Sequence, residues 1–209
     1  METPVGPVPL PETAHPRTTE PERALIGNAH REHPLESAMP RPLLFLDVDG
    51  PLNPFRAEHA DLPDSYVAHP MRPIGWEPPA RPLRVRLNPH HGEALLALPY
   101  DLVWATTWEE DANTMIGPLL GLPELPVVAF PHVDRFAPGL FFKTRRLVEY
   151  AAGRPFAWVD DGITARDITW VRRNHLSDAL LHPVDPAIGL WEKDFELLAD
   201  WPEDMGLVD

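Results

Sequence analysis

Cysteine is absent from this 209-residue chain, which excludes disulfides, thiolate metal sites and a cysteine nucleophile. Basic residues are few: 18 lysines and arginines stand against 32 aspartates and glutamates, for a formal net charge of −14. Binding to nucleic acid along its length needs clustered Lys and Arg, so this balance disfavours it. No apolar run approaches the ~18 residues of a membrane helix. Because the start, Met-Glu-Thr-Pro, also lacks a signal-peptide pattern, we expect a cytoplasmic protein without membrane contact.

Proline is in excess, with 28 residues of 209, or about 13% against an average near 5%. Since proline breaks helix interiors, the chain is not an all-helical bundle. Residues 1–40 contain eight prolines and no sustained apolar period, so we predict a disordered extension there. Residues 41–209 are predicted to form one folded domain, and Met39 is a second candidate for the start of the chain.

Apolar runs from residue 43 onward predict five buried β-strands. They cover Leu43–Asp49, Asp101–Thr106, Pro126–Phe130, Phe156–Asp161 and Asp178–Val184. Helical patterns between and after them cover residues 109–122, 141–152, 163–174 and 191–201. Buried strands that alternate with helices predict an α/β fold with a mainly parallel five-stranded sheet. In such sheets, ligands bind at the carboxyl ends of the strands.

A proline-rich insert at about residues 54–100 interrupts this alternation and is predicted to form a small flap. Apolar residues alternate with arginines over residues 83–87, which predicts a half-exposed strand. A short helix is predicted to follow, beginning at Asn88, with His90 and His91 on its surface. The insert is too short for a large independent lid.

Polar residues at the ends of the predicted strands are expected to lie close together, at the carboxyl edge of the sheet where ligands bind. Six of them lie at strand ends or at the start of the helix after the third strand: Asp47, Asp49, Thr106, Lys143, Asp160 and Asp161. Asp47 and Asp49 are two residues apart on a strand, so both carboxylates enter one space. Several acids converging with one lysine would be costly as bare charge, and a divalent cation relieves the repulsion. The sequence therefore predicts a divalent metal site.

In this order, the motifs resemble those of the haloacid dehalogenase superfamily of phosphohydrolases. The matching residues are Asp47-Val48-Asp49-Gly50, Thr106 (or Thr107), Lys143 and Asp160-Asp161. The resemblance spans roughly residues 43–185 and implies a Rossmann-like three-layer sandwich, in a compact member with a small flap. It also implies Mg²⁺-dependent phosphotransfer through an aspartyl-phosphate. Pro51 departs from the family, which often has Thr or Val after the glycine.

The resemblance implies a role for each matching residue. Asp47 would be the nucleophile and Asp49 the general acid and base, while Thr106 and Lys143 would hold the phosphate oxygens. The expected Mg²⁺ ligands are Asp47, Asp49 through its backbone carbonyl, Asp160 and Asp161. The expected substrate-binding residues are Thr107, Asn53 and Trp76.

Other protein classes fit the sequence less well. A response-regulator receiver has its acid pair before the phosphorylated Asp, whereas here the pair comes last. The glycine-rich motifs of nucleotide-binding domains and the Gly-x-Ser-x-Gly motif of serine hydrolases are absent. A non-catalytic phospho-ligand binding module on the same fold stays open as an alternative.

The expected substrate is a small phosphorylated molecule, and a phosphorylated nucleic-acid end in a repair reaction is the second candidate. Arg81, Arg84 and Arg86 form the basic cluster of the flap that would favour the second. The oligomeric state does not follow from the sequence.

Overall fold

The computed structural model of the chain describes residues 40–58, 61–130 and 139–207. It contains the strands β1 (Leu43–Leu46), β2 (Val67–Met71), β3 (Leu83–Leu87), β4 (Asp101–Trp104), β5 (Phe156–Asp160) and β6 (Ala179–Pro183). Its helices are α1 (His90–Ala97), α2 (Gly117–Leu120), α3 (Thr144–Ala151), α4 (Ala165–Asn174) and α5 (Glu192–Asp204), with a π-helix over Ala112–Ile116. The predicted extension at residues 1–40 lies outside the described residues, except for its last residue.

Four strands form one parallel sheet in the order β4-β1-β5-β6. The apolar run of β1, Leu-Leu-Phe-Leu, is buried at every position, as expected for an inner strand that is covered on both faces. Its last residue, Leu46, pairs with Trp104 of β4 on one side and with Val159 of β5 on the other. This register brings the carboxyl ends of the three strands to the same edge of the sheet.

The prediction of five parallel strands is wrong in one element. Pro126–Phe130 makes only a single parallel bridge, between Val127 and Trp104. Two hydrogen bonds hold it there, from Trp104 N–H to the Pro126 carbonyl and from Val128 N–H to the Trp104 carbonyl, each 2.9 Å. Pro126 has no N–H and β4 ends at Trp104, so a longer ladder does not form.

Side chains on the two faces of the sheet form separate apolar clusters. Leu44 and Leu46 contribute to one cluster, together with residues of α1, α2, α5 and the β2–β3 hairpin. Leu43 and Phe45 contribute to the other, together with residues of α3 and α4. The alternation of side chains along β1 thus produces three layers. The layout is α/β and compatible with a Rossmann-like arrangement.

The flap insert contains an antiparallel hairpin in which β2 pairs with β3. The predicted strand over residues 83–87 is confirmed as β3, whereas β2 was not predicted. The inward side chains Met71, Val85 and Leu87 are buried in the main apolar cluster. The base of the hairpin is therefore anchored in the core.

Two expectations about local structure fail for identifiable reasons. The regular helix predicted over residues 109–122 is a π-helix followed by α2. Pro118 has no N–H and its ring clashes with the carbonyl four residues earlier, which favours the wider π turn before it. His91 was predicted on the surface and is buried, whereas His90 is exposed.

Within the described ranges, no helix combines the length and the apolar character needed to cross a bilayer.

Candidate functional site

Asp47 and Asp160 lie side by side because their strands are neighbours in register. Leu46 pairs with Val159, and the Asp47 N–H donates to the Val159 carbonyl at 3.1 Å. The next residue of each strand is therefore an aspartate at the same level. Both are buried, with exposures of 7% for Asp47 and 0% for Asp160.

Lys143 lies between these two carboxylates. It precedes the first residue of α3, and its Nζ is 2.8 Å from Asp47 Oδ2 and 2.7 Å from Asp160 Oδ2. Its exposure is 1%, and the rings of Phe130, Phe141 and Phe142 have centroids 5.9, 5.5 and 5.8 Å from Nζ. An ammonium held by two carboxylates and three ring faces has one fixed position.

Burial and neighbouring charges shift the pKa values of Lys143 and Asp160. Burial opposes the charged form of Lys143, but the adjacent carboxylates of Asp47 and Asp160 outweigh burial and raise its pKa. Burial raises the pKa of Asp160 to about 7, against the lowering influence of Lys143. Lys143 therefore stays protonated, whereas burial disfavours the anionic form of Asp160.

Asp160 is also held by donors on both oxygens. Its Oδ1 accepts a hydrogen bond from Gly162 N–H at 2.8 Å, and its Oδ2 accepts one from Trp158 Nε1 at 3.2 Å besides that from Lys143. Asp160 thus orients the lysine. A side chain at residue 162 would meet the Phe141 ring at 2.3 Å, so glycine is needed there to let Phe141 lie beside Lys143.

Asp47, Asp160 and Asp161 form a group that fits a divalent cation. One carboxylate oxygen from each lies within 4.8 Å of the others, and hard cations prefer such oxygens. Burial, followed by the charge of Asp47, raises the pKa of Asp161, the kind of repulsion that a cation relieves. Two of the three carboxylates, those of Asp47 and Asp160, are paired to Lys143, and the set as a whole suits a hard divalent cation.

The turn after β1 brings this chain segment close to Asp161. Gly50 has φ +96°, and a Cβ there would lie 2.7 Å from the Cβ of Asp161. Both the left-handed backbone and the close contact require glycine. Gly50 N–H donates to the Asn53 carbonyl at 2.9 Å, which closes the turn.

Asp49, expected to share one space with Asp47, is not part of the group of three carboxylates and is held by two donors of its own. Its Oδ1 accepts a hydrogen bond from Asn53 Nδ2 at 2.7 Å, and its Oδ2 accepts one from Trp108 Nε1 at 2.9 Å. Burial raises the pKa of Asp49 despite these hydrogen bonds, and the charge of Asp47 adds to the effect. A carboxyl with a raised pKa at the edge of the site is suited to donating a proton.

Asn53 uses both ends of its amide within the protein. Its Oδ1 accepts a hydrogen bond from Arg86 N–H at 3.0 Å, so it joins Asp49 to the hairpin strand β3. The Arg86 guanidinium donates to the carbonyls of Ala57 and Pro54 at 2.9 and 2.7 Å. Arg86 therefore fixes the loop after β1, which favours a positioning role for Asn53; its predicted substrate contact stays a prediction.

Thr106 and Thr107 differ in accessibility. Thr106 is fully buried two residues after β4, and its Oγ1 accepts a hydrogen bond from Trp108 N–H at 3.4 Å. Thr107 is exposed and lines a cavity of about 580 Å³ together with Asp49 and Trp76. The structure thus gathers three predicted site residues around one cavity that begins at Asp49.

The connection between β2 and β3 also lines this cavity, through Pro73, Ile74 and Trp76. Ile74 N–H donates to Asp111 Oδ2 at 2.5 Å, linking the connection to the segment after β4. Trp76 is 41% exposed, and its Nε1 donates to the Arg81 carbonyl at 2.7 Å. The Trp76 ring is therefore held in place by a residue of its own loop, and much of the ring surface stays exposed.

Sequence reasoning missed Asp167, a buried acid that holds residues on both sides of Lys143 in the chain. Its Oδ1 accepts hydrogen bonds from Phe141 N–H at 2.8 Å and Thr144 Oγ1 at 2.5 Å. Its Oδ2 accepts hydrogen bonds from the N–H and the hydroxyl of Thr164. Despite burial, these four donors lower the pKa of Asp167. The signal was present, because Thr164 followed three residues later by an acid is a helix-start pattern.

Comparisons with protein-family models, with curated proteins and with solved structures find no match for this chain. Asp47, Lys143, Asp160 and Asp161 lie together, and Asp49, Thr107 and Trp76 line the adjacent cavity.

Proposed function

We propose that this protein is a Mg²⁺-dependent phosphohydrolase of the haloacid dehalogenase type, which hydrolyses phosphomonoesters through an aspartyl-phosphate on Asp47. The observation that carries the proposal is the buried triad in which Lys143 Nζ contacts Asp47 at 2.8 Å and Asp160 at 2.7 Å, with Asp161 completing a cation-sized group. A structural ion pair needs one acid, whereas this cluster has three around one base at the ligand-binding edge of the sheet.

Asp47 and Asp161 would hold the metal directly, and Asp160 would orient Lys143. When bound, Mg²⁺ supplies charge neutralisation that lets an anionic phosphate approach an anionic nucleophile. The protonated Lys143 contributes to the same neutralisation from the protein side. The Thr106 hydroxyl lies after the neighbouring strand and would donate to a phosphate oxygen.

In the first step, an oxygen of Asp47 attacks phosphorus and forms a new P–O bond. The bond from phosphorus to the alcohol oxygen of the substrate breaks. Asp49, whose pKa is raised by burial, donates its proton to that oxygen, and the alcohol leaves.

In the second step, Asp49 is an anion and takes a proton from water. The resulting hydroxide attacks phosphorus, and the bond between phosphorus and Asp47 breaks. Inorganic phosphate leaves, the Asp47 carboxylate is restored, and Asp49 is again protonated. One water is consumed for each ester that is cleaved, and no redox partner is needed.

Phosphate release from a panel of phosphomonoesters, with Mg²⁺ and with excess chelator, tests the proposal. We expect turnover only with the metal, and loss of turnover in Asp47→Asn, because an amide cannot attack phosphorus. The control is Asp200→Asn, an exposed acid on α5 that should keep wild-type turnover. Turnover by Asp47→Asn equal to the control, or full activity in chelator, would refute the mechanism. No turnover of any ester by a folded, metal-loaded wild type would favour the non-catalytic binding module.

A further inference from the structure

The residues that line the cavity next to Asp49 restrict which organic group can be attached to the phosphate of a substrate. Its apolar surface comes from Trp76 and Trp108 with Pro73, Ile74 and Leu83, and its volume is about 580 Å³. That volume suits a small organic group, since ligand pockets of about 300–1,000 Å³ hold drug-sized molecules. The half-open ring of Trp76, fixed by its hydrogen bond to Arg81, offers a flat face for stacking.

The polar part of the same wall is acidic. Asp49, Glu109, Glu110 and Asp111 line it, and among the described residues no lysine, arginine or histidine does so. Two arginines of the hairpin region make contacts outside this wall: Arg72 donates to the Ala80 carbonyl, and Arg86 holds the loop after β1. A negative group placed here would meet repulsion from Glu110 and Asp111.

We infer that this cavity binds the alcohol part of the substrate, and that this part has a ring or other apolar face and carries a positive charge or none. The inference rests on the proposed function, because it takes Asp49 as the acid that protonates the leaving alcohol. A cation would be attracted to Glu110 and Asp111 of the wall and would also stack favourably on the Trp76 ring. The alcohol part of a phosphorylated oligonucleotide carries further phosphates, so the same cavity disfavours it.

Three matched esters test the charge preference. Tyramine phosphate, p-cresyl phosphate and 4-carboxyphenyl phosphate share an aryl ring and differ in having a cationic, neutral or anionic substituent. We expect kcat/KM in Mg²⁺ to fall in that order, with a ratio of about tenfold or more between the cationic and the anionic ester. The carboxylates of the wall attract a cationic substituent and repel an anionic one. At a distance of a few ångströms near a protein surface, these interactions are strong enough to produce a ratio of this order.

Two variants separate the cavity from the overall charge of −14. Glu110→Gln removes one acid of the wall and should lower the cationic-to-anionic ratio about threefold. Glu124→Gln removes the same charge from an exposed position outside the cavity and should leave the ratio at the wild-type value. Trp76→Ala should raise KM for all three esters, because the stacking face is lost.

A binding measurement distinguishes failure of this inference from failure of the proposed function. Ligand-observed NMR with tyramine, p-cresol and 4-hydroxybenzoate reports the preference of the cavity without any turnover. Tyramine bound more tightly than 4-hydroxybenzoate, with the difference reduced in Glu110→Gln, supports the inference even if no ester is hydrolysed. Equal or reversed preference, a ratio unchanged in Glu110→Gln, or faster hydrolysis of a 5′-phosphorylated oligonucleotide than of tyramine phosphate overturns it.

Discussion

Lys143 Nζ lies 2.8 Å from Asp47 Oδ2, although the two residues are almost one hundred positions apart in the chain. The contact joins the end of β1 to the start of α3, and a second carboxylate, Asp160, shares the same ammonium at 2.7 Å. A buried charge without a partner destabilises the folded state, so each of the three groups depends on the other two for compensation. Removal of one of them therefore changes the energy of the other two.

Lys143→Met should unfold at lower denaturant than wild type, because it leaves Asp47 and Asp160 buried without their counter-charge. The expected loss in the free energy of unfolding is about 3–5 kcal/mol, measured by urea denaturation in excess chelator at pH 8. Adding Asp160→Asn to this variant should restore part of the loss, since one uncompensated carboxylate is removed. Equal stability of the single and the double variant would show that the two residues are not coupled.

The sequence was sufficient to predict that the aspartates meet, because parallel strands end at one edge of a sheet. It was also sufficient for the strand β3, where apolar and charged residues alternate. The apolar run at residues 126–130 was misleading, since burial alone cannot tell a strand from a segment that makes a single bridge. The hairpin strand β2 contains Pro70 and several exposed residues, so it carries little strand signal.

The surroundings of the site could not be predicted, because they depend on contacts between distant segments. The hydrogen bond from Trp108 to Asp49 joins the segments after β4 and β1. Asn53 linking to Arg86 and Asp111 holding Ile74 are set by the docking of the hairpin. No local pattern encodes that docking. The charged residues of the site were therefore predictable from the sequence, whereas the residues that hold them in position by hydrogen bonds were not.

Mg²⁺ should raise the melting temperature of the wild-type protein, because a ligand that binds only the folded state stabilises it. At a hundred times the dissociation constant the gain is about 2.7 kcal/mol, visible by calorimetry without any substrate. Asp161→Asn should lose most of this gain, whereas Asp200→Asn, on the exposed side of α5, should keep it. An equal gain in both variants would place the metal elsewhere.

Trp108→Phe should change the pH dependence of kcat/KM. The substitution removes the indole N–H that donates to Asp49 Oδ2 at 2.9 Å, and this bond lowers the pKa of Asp49. Without it the pKa rises, and since Asp49 must be protonated to act as the acid, activity should persist to higher pH. The matched control is Trp104→Phe, whose lost N–H donates to Asn113; it should leave the profile in place. The same profile in both variants would exclude Asp49 as the acid.

His91 should make the protein less stable as the pH falls from about 6.5 to about 4. Burial lowers the pKa of His91 in the folded protein to about 4, against about 6.5 when unfolded, so within this window only the unfolded chain takes up the proton. The loss is at most about 3 kcal/mol, complete below the folded pKa and absent above about pH 7.5. His91→Phe, packed against Tyr66 and Phe195, should remove this slope in urea denaturation, whereas His90→Gln, at an exposed position, should retain it.

Asp167→Asn should weaken both stability and turnover, because the carboxylate ties the start of α3 to the start of α4. Four donors on Phe141, Thr144 and Thr164 point at its oxygens. An amide offers one oxygen, and its NH₂ would face two of those donors. The expected loss in the free energy of unfolding is about 2–4 kcal/mol, and a displaced Lys143 should lower kcat more than it changes KM.

Asp194→Asn is the matched control for this last prediction. Asp194 is also a buried acid three residues into a helix start, and its Oδ2 accepts the Trp191 N–H at 2.8 Å. It lies in α5, which packs on the opposite face of the sheet from α3 and α4. If Asp167 positions Lys143, the two variants lose stability to similar extents but only Asp167→Asn loses kcat. The measurement is kcat with Mg²⁺ at a temperature where both variants are folded. Equal kcat for Asp167→Asn and Asp194→Asn would show that Asp167 only caps a helix and does not position Lys143.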